Sequence, residues 1–142
     1  MGTTLYSTTV TAVGGRSGTV KSADGILDLQ LARPKEMGGK GGATNPEQLF
    51  AAGYAACFES AVIHVSRNQT TKVWDNDIEV IGTVGLSSNG SDGFGLSVAL
   101  DVTIAGMDQE TAQSIVDAAH KACPYSNAVR GNVDMAISVA VK

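Results

Sequence analysis

Asn45-Pro46-Glu47-Gln48 opens a segment that dictates much of what this chain can become. Asn at the N-cap, Pro at N1, an acid in the first turn and Gln at N3 together specify a helix start, and the pattern predicts a helix from Pro46 to about Arg67. Its middle, Ala51-Ala52-Gly53-Tyr54-Ala55-Ala56-Cys57, is small and apolar nearly all round. Such a helix is expected to be buried and to let another helix approach closely, so the rest of the chain must supply its walls.

Those walls read mainly as strands. Polar and apolar residues alternate from Leu5 to Val13, Gly14-Gly15-Arg16-Ser17-Gly18 supplies a turn with Arg16 at its tip, and Thr19-Val20-Lys21 returns. Ala23-Asp24-Gly25 is a second turn, and Ile26 to Ala32 alternates again, giving three antiparallel strands. The glycine-rich Gly38-Gly39-Lys40-Gly41-Gly42 lacks the GK[ST] ending of a phosphate loop and reads as a flexible connection. Val73 to Leu86 and Phe94 to Ala105 predict a hairpin around Asn89-Gly90-Ser91-Asp92-Gly93. Asp108 caps a second helix with an apolar stripe of Ala112, Ile115, Val116 and Ala119, ending near Cys123 and Pro124, and Val133 to Val141 is a last strand. The expected fold is α+β in the order β-β-β-α-β-β-α-β, with antiparallel sheets around two central helices, in a single domain of 142 residues.

Charge narrows the partners. A net charge of -4, with only ten Lys plus Arg, argues against a nucleic acid or an anionic membrane surface. The N-terminal Met1-Gly2-Thr3-Thr4-Leu5-Tyr6 has neither the basic nor the apolar region of a signal peptide, and no later stretch reads as apolar enough to span a bilayer, so a cytoplasmic chain is expected. The formal sequons at Asn68 and Asn89 then carry no weight.

Two cysteines are too few for a disulfide scaffold, and a reducing compartment disfavours a permanent bridge, which leaves redox work, metal binding or chance. Peroxide reduction by a thiol needs an attacking thiolate, a cation to hold it, and a second thiol to release the product as a disulfide. Cys57, Arg16 and Cys123 are the candidates, with Glu47 as a carboxylate able to grip Arg16 in bidentate fashion. Cys57 lies mid-helix, where the dipole gives little help, so it needs such a cation. Cys123, near a helix C-terminus, is the poorer first nucleophile and suits the resolving role. Glu47 and Cys57 are ten residues apart, roughly 15 Å along one helix. Either Arg16 spans that gap, or the helix breaks, or Arg16 and Glu47 meet the cysteine of a second subunit; the last is the favoured arrangement.

Plainer readings stand beside these. A Cys in an Ala-rich helix is more often a small buried hydrophobe than a nucleophile. Arg16 at a turn is ordinarily solvated, and Glu47 in a first turn ordinarily complements the dipole. His64 and His120 lie close enough in sequence to the cysteines that a Cys2His2 zinc site is conceivable, although the spacing fits no familiar finger.

The segment Asn45-Pro46-Glu47-Gln48-Leu49-Phe50-Ala51-Ala52-Gly53-Tyr54-Ala55-Ala56-Cys57-Phe58 resembles the organic hydroperoxide resistance proteins of the OsmC superfamily. Leu5-Tyr6-Ser7, Gly14-Gly15-Arg16, Gly25-Ile26-Leu27-Asp28-Leu29 and Cys123-Pro124-Tyr125-Ser126-Asn127-Ala128 follow in the same family's order. The resemblance implies an intertwined homodimer with sites at the subunit interface, and places the peroxidatic role on Cys57, the resolving role on Cys123 and an Arg-Glu pair on Arg16 and Glu47. It further implies organic and fatty acid hydroperoxides as substrates, no bound cofactor, and dihydrolipoyl groups of a lipoylated protein, or another dithiol, as external reductant. A different class of function, a non-catalytic thiol sensor or apolar-ligand binding module, uses the same cysteines and is distinguished by reacting only once per thiol pair.

Overall fold

A computed structural model describes residues 2–142, which form two compact units, one ending at Leu49 and one running Phe50–Lys142. In the first unit β1 (Val10–Val13), β2 (Thr19–Ser22) and β3 (Asp28–Gln30) make an antiparallel sheet in that order. A 3₁₀ turn at Gly15–Ser17 joins β1 to β2 and carries Arg16. Gly14 and Gly15 enter it at φ of 86° and 60°, a region open to glycine at no steric cost. Gly18 is equally constrained, because a Cβ there would lie 1.7 Å from the Val13 carbonyl oxygen.

β1 is shorter than the alternation from Leu5 suggests. Val10 pairs with Ser22, where β2 ends in the turn closed by Ser22 and Asp24, so residues before Val10 have no strand opposite them. Leu5 and Tyr6 are accordingly 97% and 78% exposed. β3 is trimmed for the same reason: Ile26 and Leu27 belong to that turn, their amides bonded to Asp24 and Ser22 side chains. The glycine-rich stretch is a specified turn, not merely a flexible connection. Amides of Gly39 and Gly41 donate to the carbonyls of Pro34 and Arg33 at 3.0 Å each, and a Cβ on Gly39 would meet the Arg33 oxygen at 2.1 Å.

Helix α1 (Pro46–Ser66) starts where the caps predict, with the Gln48 amide donating to Asn45 Oδ1 at 2.8 Å. The expectation of all-round burial needs correction. Tyr54, Phe58, Ala61, Val62 and Ser66 are buried, whereas Ala52, Ala56, Ser60 and His64, spaced four apart, form an exposed stripe. The expectation that no stretch is apolar enough to span a bilayer also fails by length and composition, since α1 reaches a mean hydropathy of 1.3. One side of it has a protein partner: Tyr54, Phe58 and Val62 lie fully inside the core.

The second unit continues with β4 (Ile78–Ser88), β5 (Phe94–Ile104), α2 (Gln109–Ala122), α3 (Pro124–Val129) and β6 (Asp134–Val141). Before β4, Val73 and Trp74 are not strand as expected; the Trp74 amide donates to Asp77 Oδ2 and the chain makes a 3₁₀ turn at Asp75–Asp77. The sheet order is β4-β5-β6, antiparallel between β4 and β5 but parallel between β5 and β6. That parallel pair is a departure from purely antiparallel sheets, and it follows from the α2-α3 crossover that carries the chain back. Leu100, Val102 and Ile104 of β5 pack with Tyr54, Phe58 and Val62 of α1 and with the predicted stripe Ala112, Ile115, Val116 and Ala119 of α2. Gly82 lets α1 approach β4: a Cβ there would come within 3.2 Å of the Ala51 carbonyl oxygen.

Candidate active site

Cys57 lies in the middle of α1 and is partly exposed, while Cys123 is fully buried at the junction of α2 and α3. Both are free thiols, with their Sγ atoms 3.8 Å apart. A disulfide bond is about 2.05 Å long, so closing it takes a movement of side-chain size. The Cys123 backbone is held on both sides, its amide donating to the Ala119 carbonyl at 2.8 Å and its carbonyl accepting from Asn127 at 2.9 Å.

Cys123 does not lie at a lone helix C-terminus, so the macrodipole does not single it out as the poorer nucleophile. Pro124, read as a helix stop, is instead N1 of α3, so Cys123 is both the C-cap of α2 and the N-cap of α3 and sits between opposing helix ends. Access separates the two thiols better: a solute can reach Cys57 but not Cys123. Burial pushes the Cys57 thiol above its ordinary range, and the neighbouring Cys123 adds to this, while a hydrogen bond from the Tyr125 backbone acts in the opposite direction.

Aromatic rings flank this pair. Tyr54 lies 5.5 Å from Tyr125 and 6.4 Å from Phe50 between ring centroids, and Phe50 meets Tyr125 edge-on at 6.2 Å. Gly53 permits the arrangement, because a Cβ there would fall 2.4 Å from Tyr125 Oη. Phe50, Tyr54 and Phe58 are spaced by four residues on one helix face, a periodicity already present in the sequence, and the first two of them meet Tyr125.

A second feature, not legible in the sequence, is a polar chain that runs from the buried Tyr54 and Ser126 to the half-buried His120. Tyr54 Oη is 2.7 Å from Ser126 Oγ, and Ser126 Oγ is 2.9 Å from His120 Nδ1. Tyr54 Oη also lies 3.1 Å from Met135 Sδ, which gives its single proton two acceptors. His120 is held below its usual pKa, first by burial and then by Arg130, whose guanidinium also donates to the His120 carbonyl.

In the first unit, the expected Arg-Glu grip is present. Arg16 Nη1 and Nη2 donate to Glu47 Oε1 and Oε2 at 2.6 and 2.9 Å, a bidentate fork. The hydrogen bonds from Arg16 hold the Glu47 carboxyl below the usual carboxylate range, against a smaller opposing effect of burial. The unbroken course of α1 from Pro46 to Ser66 removes the broken-helix arrangement from the three considered for Arg16, Glu47 and Cys57. Among the described residues no group of three or more His, Cys, Asp or Glu side chains is placed to hold a metal ion, and His120 is engaged with Ser126.

The model of the OsmC-like protein family matches residues 39–138. The chain is 46% identical to the organic hydroperoxide resistance protein of Xanthomonas axonopodis pv. citri, over 96% of this chain and 95% of that one. It is 48% identical to the organic hydroperoxide resistance protein OhrB of Bacillus subtilis, over 95% and 98% respectively. The crystal structure of an organic hydroperoxide resistance protein from Legionella pneumophila is similar at a TM-score of 0.92 and 52% identity, covering 97% of this chain and 99% of that one. On sequence and fold together, the chain belongs to the OsmC-like family and, within it, to the organic hydroperoxide resistance proteins.

Proposed function

We propose that this protein serves organic peroxide resistance as a cytoplasmic dithiol peroxidase, reducing alkyl and fatty acid hydroperoxides to alcohols. The observation that carries the reading is the pair of free thiols, one accessible and one buried, with Sγ atoms 3.8 Å apart. In the proposed cycle the Cys57 thiolate attacks the terminal oxygen of ROOH and the O–O bond breaks. Cys57 becomes a sulfenic acid, and the departing alkoxide takes a proton to leave as ROH. Cys123 then attacks the sulfenic sulfur, forming the Cys57–Cys123 disulfide and releasing water. An external dithiol, such as the dihydrolipoyl group of a lipoylated protein, gives up two electrons and two protons to restore both thiols.

Burial alone opposes the Cys57 thiolate, so the cycle needs a cation, and Arg16 fixed by Glu47 is the candidate. We assign that pair to the Cys57 of a second copy in an intertwined homodimer. Support comes from the exposed stripe of Ala52, Ala56 and Ser60 on α1 and from the unpaired, exposed Leu5 and Tyr6, all of which suit burial against another chain.

Intact-mass analysis after one equivalent of tert-butyl hydroperoxide tests the reading. The proposal expects the loss of two hydrogens and a single Cys57–Cys123 cross-link on peptide mapping. Unchanged thiols after that treatment would refute it.

A further inference from the structure

We propose that the hydrogen-bonded chain Tyr54–Ser126–His120 is the positioning device of the thiol pair, holding Cys123 at attacking distance from Cys57 so that disulfide closure outruns a second encounter with peroxide. The inference rests on the dithiol reading above.

Its basis is where the three side chains sit relative to the cysteines. His120 and Ser126 lie three residues before and three after Cys123, and their 2.9 Å bond closes the α2-α3 elbow around it. Arg130 braces the same elbow, donating to the His120 carbonyl and, at 2.6 Å, to Asn127 Oδ1. Tyr54 lies three residues before Cys57 on α1, one turn away, and its 2.7 Å bond to Ser126 ties that turn to the elbow. One bond therefore fixes the backbone around Cys123, and the next fixes that backbone against the helix that carries Cys57.

The cost of the arrangement argues for a purpose. Tyr54 and Ser126 are both wholly buried against a mainly apolar core, where Phe and Ala would fill nearly the same space without desolvating two hydroxyls. Fully satisfied buried networks fix one geometry more sharply than apolar contact does, and among the described residues no buried side-chain nitrogen or oxygen lacks a partner.

Two fates compete for the Cys57 sulfenic acid. Attack by the Cys123 thiol yields the disulfide and water; attack on a second ROOH yields a sulfinic acid and ROH, which ends the cycle. A misplacement of about 1 Å can slow such an intramolecular step by about a hundredfold, so the branching depends on how well the elbow is held.

The test uses the full-length protein with Tyr54→Phe, Ser126→Ala, the double variant and Met135→Leu. The first readout is the equilibrium between dithiol and Cys57–Cys123 disulfide in a glutathione redox buffer, which needs no peroxide. The second is the fraction of Cys57 carried to sulfinic acid per turnover with tert-butyl hydroperoxide and dihydrolipoamide. Each single variant should weaken disulfide formation about tenfold, with a matching rise in overoxidation; the double variant should do no more than either alone, and Met135→Leu should match wild type. An unchanged equilibrium in both Tyr54→Phe and Ser126→Ala would overturn the inference, as would effects that simply multiply in the double variant. If wild type forms the disulfide in the glutathione buffer yet consumes no peroxide, the peroxidase reading fails while the variants still decide the positioning role.

Discussion

The Sγ atoms of Cys57 and Cys123 stand 3.8 Å apart although 66 residues separate them in sequence, and they differ sharply in access to solvent. A buried thiol at that distance from a reachable one can convert an oxidised neighbour to a disulfide without any large motion of the chain. Replacing either should therefore produce distinct defects. Cys57→Ser should reduce peroxide consumption to background. Cys123→Ser should consume about one equivalent and then stop, leaving a sulfenic acid that a dimedone adduct detects by mass spectrometry.

The Arg16 fork makes a graded prediction. Arg16→Lys keeps the charge but loses the bidentate geometry, whereas Arg16→Ala loses both. Rapid-mixing measurement of the first oxidation step should rank wild type above Lys above Ala, with Ala slower by about a hundredfold, the scale of losing one preorganised charge-stabilising donor. Equal rates for Ala and wild type would remove Arg16 from the reaction.

Acid should loosen the same fork. Because Glu47 titrates below its ordinary value, the pair contributes stability that is fully present above the unfolded carboxyl pKa and is lost as pH falls through the lowered folded value. Glu47→Gln should flatten that part of a pH-melting profile while leaving the neutral-pH fold intact.

Cys57 behaves in the opposite sense. Its thiol is raised by burial first, so the fold favours the protonated form; the associated stability is complete below the ordinary thiol pKa and declines as pH rises through the raised value. In Arg16→Ala, ultraviolet thiolate absorbance should rise only above the usual thiol range. In wild type under the proposed function it should rise at lower pH.

The Arg16 turn should tolerate little change at Gly18. A Cβ placed 1.7 Å from the Val13 carbonyl and 2.7 Å from the Gly14 Cα forces the turn to move. Gly18→Ala should cost about 2 kcal/mol in chemical denaturation. It should also slow the first oxidation step, by displacing the guanidinium that the turn presents.

Much of this was legible in the residues themselves. Asn45, Pro46 and Gln48 mark the start of α1 through local capping chemistry, Asp108 does so for α2, and Gly14 to Gly18 declare their turn, because each of those signals is complete within a few residues. The Arg16-Glu47 grip was foreseen from charge complementarity. What the sequence does not reveal depends on distant partners: Ser126 looks unremarkable and His120 reads only as a conceivable zinc ligand until α1 brings Tyr54 to them, and Pro124 reads equally as a helix stop or a helix start. The stripe of Ala52, Ala56 and Ser60 shows the converse. Its composition suggests a covered face, yet all three residues are exposed.

The most direct measurement is steady-state consumption of tert-butyl hydroperoxide and of hydrogen peroxide by the purified protein, with dihydrolipoamide as reductant and glutathione as comparison. The account predicts many turnovers of the organic substrate with dihydrolipoamide, slower use of hydrogen peroxide, and little turnover with glutathione. Consumption that stops near one equivalent with every reductant would contradict it and point to a thiol sensor.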